Sequence, residues 1–300
     1  MKSNAKLGSV SVGEGLPVRI MAAINASPES FYKGSVASTA EEVSASVAKA
    51  VDEGADLIDI GGASTAPYLE GGVSEEEESR RVREAVKAAM EAVGRGKASI
   101  SVDTVRASVA DAALRLGATV VNDVSGLKGD PEMSKVVKDR GASLFAMAHS
   151  SVACVARPIP TVIRCLKETL SIARRADIDP RLVVLDPGIG FFRNGAASKT
   201  SSYQNLMPWY DWDCEVIANL GTLKLLGRPI GVGLSRKSFV GKILGLDSPE
   251  ERLPGSLAAT GVAVINGASL VRTHDVRETL QAVRVCEAVL ARGRPARRTS

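Results

Sequence analysis

The sequence predicts an α/β protein built as a single (β/α)8 TIM barrel, and three observations lead to this fold. Short apolar segments, each suited to a buried parallel strand, alternate with amphipathic helical segments along the chain. A Gly-Ala pair precedes four of these segments, at residues 54, 117, 141 and 267, where glycine can end a helix. The length of 300 residues is also typical of this barrel. An open doubly wound sheet remains the alternative, because strand order cannot be read from sequence.

Eight apolar segments are predicted to form the strands of the barrel. They are residues 18–24, 56–60, 98–102, 119–123, 143–147, 182–186, 229–234 and 269–273. The barrel is therefore expected to occupy residues 18–292, after a polar segment at 1–17 and before a basic tail at 293–300. Residues 193–215 are predicted to form a long loop that follows the sixth strand and runs into its helix.

Capping pairs predict where several of the intervening helices begin. Three pairs have the spacing of a capping box: Ser38 with Glu41, Ser74 with Glu77, and Asp275 with Glu278. The acidic run at 75–78 then lies in the first turn of a helix, where carboxylates complement the helix dipole. Arginines at 80 and 81 follow at helical spacing, so the run is interpreted as structural.

Composition and charge exclude several classes of protein. The 38 Lys and Arg residues exceed the 34 Asp and Glu residues by only four, which is too few for a nucleic-acid groove or a polybasic membrane patch. No apolar run approaches the roughly 20 residues of a membrane span, and no secretory signal is expected. The four cysteines are isolated and only two histidines occur, so free thiols in a cytoplasmic protein are expected rather than a zinc site.

Polar residues stand at the carboxyl ends of nearly all the predicted strands. They are Asn25, Ser64-Thr65, Asp103, Asn122-Asp123, His149, Asp186, Ser235-Arg236-Lys237 and Arg272-Thr273-His274-Asp275. In a barrel these ends meet at one mouth, where barrel enzymes have their active sites. Any single one could be a helix cap, and Asp123 and Asp275 fit that role well. Together they predict a polar pocket.

Part of this set is suited to a heteroaromatic ring. Asp103, Asn122 and Asp186 offer carboxylate and amide groups that can pair with the adjacent N–H donors and carbonyl of an aminopyrimidine. The sequence therefore predicts a ring-binding half of the pocket.

The other part is suited to an anion. Lys237, Arg272 and His274 are positive or neutral donors near the last two strands, where barrels commonly hold phosphate. Asn25 could supply an oxygen to Mg²⁺ bound against phosphate oxygens. A ring carrying a phosphate or diphosphate would engage both halves.

At residues 20–289 the chain resembles the dihydropteroate synthase family. The resemblance lies in seven segments that occur in family order: Asn25 to Phe31, Asp59 to Thr65, Asp103-Thr104, Asn122 to Gly126, Asp186 to Gly190, Ser235 to Phe239, and Arg272 to Asp275. One such segment would be weak evidence, whereas seven in order indicate common ancestry.

The resemblance implies a reaction and a set of site residues. The reaction is condensation of 6-hydroxymethyl-7,8-dihydropterin diphosphate with an arylamine, with release of diphosphate. By resemblance, the residues that surround the pterin are Asp103, Asn122, Asp186 and Lys237. Those that hold the diphosphate and Mg²⁺ are Asn25, Arg272 and His274. The pocket between them is lined by Thr65 and Ser235. Asp103, Lys237, Arg272 and His274 are the expected catalytic residues. The family also implies a homodimer.

Departures from the family pattern lie in the loops. Ala66 replaces an arginine of the second loop, Glu29 replaces an aspartate of the first, and His149 stands one position later than the family histidine. The positions implied for the pterin are unchanged. One hypothesis is a larger arylamine, such as a ribosylated aminobenzene phosphate, whose phosphate would need a further cation. Candidates are Lys33, Arg193 and Lys199, although solvated surface charge is the simpler interpretation.

Two other functions stay open at this point. A pterin-binding methyltransferase would share the barrel and the acid and amide residues, but it would not need the segments suited to a leaving diphosphate. A pterin-binding protein without synthase activity would account for Ala66. Release of diphosphate on adding an amine distinguishes the synthase from both.

Overall fold

The computed structural model describes residues 3–27, 36–63, 73–94, 97–150, 157–192 and 207–293. The strands within these ranges are β1 Asn4–Leu7, β2 Val10–Gly13, β3 Arg19–Asn25, β4 Leu57–Gly61, β5 Ser99–Asp103, β6 Val120–Asp123, β7 Ser143–Met147, β8 Val183–Asp186, β9 Gly231–Gly233 and β10 Leu270–Thr273. The helices are α1 Ala40–Asp52, α2 Glu75–Val93, α3 Ala107–Arg115, α4 Met133–Arg140, α5 Pro158–Arg175, α6 Trp209–Ala218, α7 Ser238–Leu244, α8 Leu253–Ile265 and α9 Val276–Gly293.

Strands β3 to β10 form one parallel sheet that closes on itself. In spatial order the strands are β8, β7, β6, β5, β4, β3, β10 and β9. A parallel bridge between Leu185 and Ile230 joins the two ends, and the Leu185 amide donates to the Pro229 carbonyl at 3.0 Å. The eight predicted strands and the (β/α)8 barrel are confirmed, and the open sheet is excluded. No helix among the described residues has the length and apolar character needed to cross a bilayer.

The N-terminal segment forms an antiparallel hairpin, β1–β2, that covers the amino-terminal end of the barrel. Leu7 and Val12 are fully buried there and belong to one apolar cluster with barrel residues such as Phe145. The amides of Gly8 and Ser9 donate to the hydroxyls of Ser143 and Ser99 at 3.0 and 3.1 Å. Sequence analysis predicted only a polar segment here, because each strand has four residues and too little periodicity to detect.

The starts of the first two helices test the capping predictions. Ser74 caps α2 as predicted, accepting a hydrogen bond from the Glu77 amide at 3.2 Å. The pairing of Ser38 with Glu41 is wrong by one residue, because Thr39 and Glu42 form the capping box of α1. Both pairs have the same spacing, so only the path of the chain into the helix distinguishes them.

The remaining expectations about helices and cysteines are met in part. Glu77 pairs with both Arg80 and Arg81, which confirms a structural role for that part of the acidic run. The helix after the sixth barrel strand begins at Trp209, so residues 209–215 are helical rather than loop. Cys165, Cys214 and Cys286 are free thiols. The tail at 294–300 and most of the predicted loop, residues 193–206, lie outside the described residues.

Candidate active site

Several of the predicted polar residues lie at the same height along the barrel axis, at its open end. Strand register aligns Asn25 with Gly61, Gly61 with Asp103, and Asp103 with Asn122 around one side of the mouth. Asp186 ends β8 in register with Met147. Gly61 lies beside the Asn25 side chain, since a Cβ there would be 3.5 Å from the Asn25 amide oxygen. Register alone therefore gathers the strand-end side chains into one pocket.

The centre of the pocket is a partly buried guanidinium held by two carboxylates. The Arg272 Nε donates to Asp59 Oδ2 at 2.6 Å, and its Nη2 donates to Asp103 Oδ2 at 2.9 Å. The Asn122 amide also donates to Asp59 Oδ2 at 2.9 Å. Asp59 is fully buried and Asp103 nearly so. Arg272 thus lies against the acid and amide side chains, rather than apart from them in a separate anion-binding half.

Two carboxylate oxygens in this cluster point to a ligand with N–H donors. Asp59 Oδ1 and Asp103 Oδ1 are buried and accept no hydrogen bond from the described part of the chain. Buried polar atoms in native proteins almost always have partners, so such oxygens require a donor from a bound molecule or water. A ring with adjacent N–H groups supplies donors of this kind.

Two acids of the pocket, Asp103 and Asp186, have raised pKa values. Burial raises the pKa of Asp103 to about 7, against the opposing charge of Arg272 and with the help of Asp59. Burial also raises the pKa of Asp186 to about 6, opposed by the hydrogen bond that its Oδ1 accepts from the Gly188 amide at 2.7 Å. Both groups can therefore accept or, when protonated, donate hydrogen bonds to a ring.

A neutral histidine lies beside these charges. The His274 Nδ1 is 3.0 Å from the Ser235 hydroxyl, which also accepts from the His274 backbone amide at 3.3 Å. Burial and, to a smaller extent, the positive charges of Arg272, Arg236 and Lys237 together lower the pKa of His274 to about 3. The imidazole is therefore neutral at physiological pH.

Lys237 lies at the other side of the pocket, over an aromatic ring. Its ammonium is 4.4 Å from the centre of the Phe191 ring, a cation–π distance. Gly190 brings the loop after β8 close to this lysine: it has φ +84°, and a Cβ there would lie 3.1 Å from Lys237 Cδ. A larger residue at 190 would strain the backbone and press on the lysine stem.

Sequence analysis missed two residues of this pocket. Asp59 was quoted only within a family segment, although an acid inside an otherwise apolar strand signals a buried partner. Phe191 was passed over because an aromatic residue in a loop carries no periodic signal.

The other predicted residues lie away from the Arg272 cluster or outside the residues that the structure describes. The prediction that Asp123 caps a helix is wrong: it accepts from the amides of Ser125 and Leu127 in the loop after β6, whereas α4 begins only at Met133. Asp275 directly precedes α9 and pairs with Arg236. His149 is half-buried near Asp123 and Lys128, and burial lowers its pKa. Outside the described residues are Glu29, Lys33, Ser64, Thr65, Ala66, Arg193 and Lys199.

The sequence matches the family model described as "Pterin binding enzyme" over residues 21–274. The chain belongs to the pterin-binding enzyme family. Within this family it is 34% identical to the dihydropteroate synthase of Bacillus subtilis, covering 91% of this chain and 89% of that protein. It is 35% identical to the dihydropteroate synthase of Clostridium beijerinckii, covering 96% and 100% of the two chains.

Solved structures of pterin-binding enzymes have the same fold. The dihydropteroate synthase of Xanthomonas albilineans with 4-aminobenzoic acid superposes with a TM-score of 0.82 at 33% identity, covering 98% of this chain and 100% of that one. The dihydropteroate synthase of Clostridium difficile in the presence of pteroic acid superposes with a TM-score of 0.80 at 34% identity, covering 92% of this chain and 97% of that one. The resemblance to the dihydropteroate synthase family is therefore confirmed.

Proposed function

We propose that the chain is a dihydropteroate synthase-type transferase that joins 6-hydroxymethyl-7,8-dihydropterin diphosphate to an arylamine. A C–N bond forms between the amine and the exocyclic methylene of the pterin, the methylene C–O bond breaks, and diphosphate departs. One N–H proton leaves the amine. The observation that carries the proposal is the contact of Arg272 with Asp59 and Asp103, which puts acid, amide and cation in one pocket.

The acids and the amide would orient the pterin ring. The two buried oxygens of Asp59 and Asp103 need donors, and the amino and ring N–H groups of a pterin can provide them. Asp186 would add a third acceptor. As the diphosphate leaves, positive charge spreads from the methylene into the ring, and nearby carboxylates stabilise that charge.

The departing diphosphate would be stabilised by the donors around Ser235. Lys237 and Arg272 supply positive charge, and the neutral His274 supplies an N–H donor. No nucleophilic side chain is needed, because the amine attacks the methylene directly. An arylamine is largely unprotonated at neutral pH, so it needs no strong base.

We also propose that Mg²⁺ binds with the diphosphate, with Asn25 as a protein ligand. The Asn25 amide oxygen is a suitable donor for Mg²⁺ and lies at the mouth beside Gly61 and Asp103. Among the described residues no group of three or more His, Cys, Asp or Glu side chains could hold a metal ion. The substrate would therefore provide most of the oxygen ligands. When bound, the ion would neutralise charge on the leaving diphosphate.

The identity of the arylamine is the second part of the proposal. Phe191 and the stem of Lys237 provide an apolar wall against which an aromatic amine can lie. 4-Aminobenzoate is the simplest candidate, and Ala66 in place of the family arginine keeps the larger ribosylated aminobenzene phosphate as the alternative.

Diphosphate release tests this function. The pterin diphosphate is incubated with 4-aminobenzoate or with the ribosylated amine, each with and without Mg²⁺. We expect Mg²⁺-dependent release with at least one amine. Calorimetry showing tight binding of the pterin diphosphate, without release on adding either amine, would instead support a pterin-binding protein that lacks synthase activity.

We further propose that the protein is a cytoplasmic homodimer that associates through α8 and α9. Val262, Ile265, Val285 and Val289 expose 46%, 55%, 65% and 62% of their surface along these two adjacent helices. Three of them, Val262, Ile265 and Val285, line a shallow apolar groove of about 610 Å³ together with Leu257 and Ala282. An apolar stripe on two packed helices is suited to the same stripe of a second copy, related by a twofold axis. The free thiols fit a reducing compartment.

A further inference from the structure

Arg236 has an unusual backbone conformation at the mouth of the barrel. Its φ of +54° lies in the left-handed region, which disfavours side chains other than glycine. The residue stands between Ser235 and Lys237, both of which line the pocket. Such strain persists only where the surroundings hold the residue firmly, and it is frequent at functional sites.

The side chain of Arg236 is held by a bidentate ion pair and two carbonyls. Its Nε and Nη2 donate to the two carboxylate oxygens of Asp275 at 2.9 and 2.7 Å, and both side chains are largely buried. Its Nη1 donates to the carbonyls of Pro249 and Glu250 at 3.0 and 2.8 Å. The Arg236 amide donates to the Ser256 hydroxyl at 2.8 Å.

This ion pair joins the two loops that carry the anion-binding residues. Arg236 belongs to the loop after β9, whereas Asp275 directly follows His274 after β10. Between them lies the Ser235 hydroxyl, 3.0 Å from His274 Nδ1 and 3.4 Å from Asp275 Oδ2. Its single proton can go to one of these two acceptors.

The distances favour the histidine. Arg236 engages both oxygens of Asp275 at 2.9 and 2.7 Å, and the 3.4 Å from the Ser235 hydroxyl to Asp275 Oδ2 exceeds the usual length of an O–H···O hydrogen bond. The contact of the hydroxyl with His274 Nδ1 is shorter, at 3.0 Å. The hydroxyl proton is therefore directed to His274 Nδ1. Because the buried imidazole is neutral, its own proton must then be on Nε2.

We propose that Arg236 is a positioning residue: by engaging Asp275, it directs the Ser235 hydroxyl to Nδ1 of His274 and fixes the imidazole as an Nε2–H donor. The donor would serve the leaving diphosphate, so its catalytic use rests on the proposed function. The tautomer itself does not, since it is a property of the free protein.

Nuclear magnetic resonance of the ¹⁵N-histidine-labelled protein measures the tautomer directly. The chain has two histidines, and the His149→Gln variant assigns the signals. We expect the proton of His274 on Nε2. In Arg236→Met the Asp275 carboxylate loses its partner and competes for the Ser235 hydroxyl, so the proton of His274 is expected to move to Nδ1.

The double variant Arg236→Met/Asp275→Asn provides the rescue. It removes the competing negative charge along with the guanidinium, so the Nε2–H form should return. A matched control is Arg19→Met, which breaks the half-buried Arg19–Asp56 pair at the opposite end of the barrel. It should leave the tautomer and the kinetic constants unchanged. Arg236→Gln serves as the second single variant if Arg236→Met does not fold, because it also removes the positive charge that engages Asp275.

Kinetics with the pterin diphosphate give the second measurement. We expect Arg236→Met to lower kcat by at least about tenfold, with a smaller change in KM, because a donor to the leaving group is lost. The double variant should regain most of kcat. The proposal is overturned if the wild-type proton is on Nδ1, if the folded single variant retains Nε2–H, or if the double variant fails to restore it. The expected tautomers in a protein that releases no diphosphate would refute the synthase function alone.

Discussion

At the residue scale, Arg272 is the side chain on which the pocket depends most. It neutralises two buried acids, Asp59 and Asp103, from strands 213 and 169 residues away along the chain. The resemblance to the family implied only a contact with diphosphate. Its position instead makes it a part of the acid and amide cluster. Under the proposed function it would also supply positive charge to the leaving group. Removing it should therefore affect stability as well as binding.

Arg272→Ala should destabilise the protein most at alkaline pH. Two buried carboxylates lose their partner, at a cost of about 3–5 kcal/mol in the free energy of unfolding. The pKa of Asp103 is about 7 in the wild type and should rise further without the guanidinium. A raised carboxyl pKa destabilises the folded state as pH increases, so the loss should shrink as pH falls below 7.

Denaturant unfolding at pH 8.5 and pH 5.5 measures this dependence. The control is Arg80→Ala, which also removes an arginine held by two carboxylates, Glu77 and Glu84, but on the exposed face of α2. Its stability should change little at either pH. Equal losses for Arg272→Ala at the two pH values would mean that the buried acids are not the cause.

At the element scale, the β1–β2 hairpin closes one end of the barrel and leaves the other open. Its buried Leu7 and Val12 pack under the barrel core, and its backbone amides bond to side chains of two barrel strands. The active-site cluster lies at the opposite ends of the strands. The hairpin therefore contributes to stability at the end of the sheet that lies away from the candidate ligand-binding pocket.

Leu7→Ala should lower the stability of the fold without changing ligand binding. A buried leucine replaced by alanine costs about 2–5 kcal/mol through lost transfer energy and the cavity left behind. The KM for the pterin diphosphate should stay unchanged. Urea unfolding and steady-state kinetics measure the two effects, with Leu225→Ala as the control because Leu225 is 59% exposed. A large change in KM in Leu7→Ala would show that the hairpin influences the mouth.

At the scale of the whole molecule, four of the exposed large apolar residues among those described lie together on α8 and α9. The exposed valines and isoleucine of α8 and α9 form a stripe, whereas the polar mouth faces along the barrel axis. Association through the stripe would therefore leave both mouths of a dimer open. If the proposed dimer forms in this way, self-association and substrate binding depend on different surfaces, and substitutions should alter them independently.

Val285→Glu should convert the dimer into a monomer. The carboxylate would be buried against an apolar partner surface, which costs several kcal/mol, roughly the range of a desolvated charge. Light scattering at micromolar concentration gives the mass, and Met90→Glu on α2 is the control, since Met90 is also exposed at 43%. A monomeric wild type would refute the proposed dimer.

The sequence by itself determined the barrel and most of its mouth. Apolar segments of strand length, glycine helix ends and polar strand ends are local signals, so they could be read before any contact was known. They located the eight strands and placed Asp103, Asn122, Asp186, Lys237, Arg272 and His274 at one end of the sheet. The seven family segments then indicated the family that the comparisons confirmed.

Only the tertiary structure decided which of these side chains are partners. Several acids stand at strand ends, and closure of the barrel selects Asp59 and Asp103 as the partners of Arg272. Three other features depend in the same way on chain paths that no local pattern specifies. They are the β1–β2 hairpin that closes the barrel, the α1 cap at Thr39 and the pairing of Arg236 with Asp275. Ion pairs and caps are chosen by distance in the folded chain, and that distance exists only once the sheet has closed.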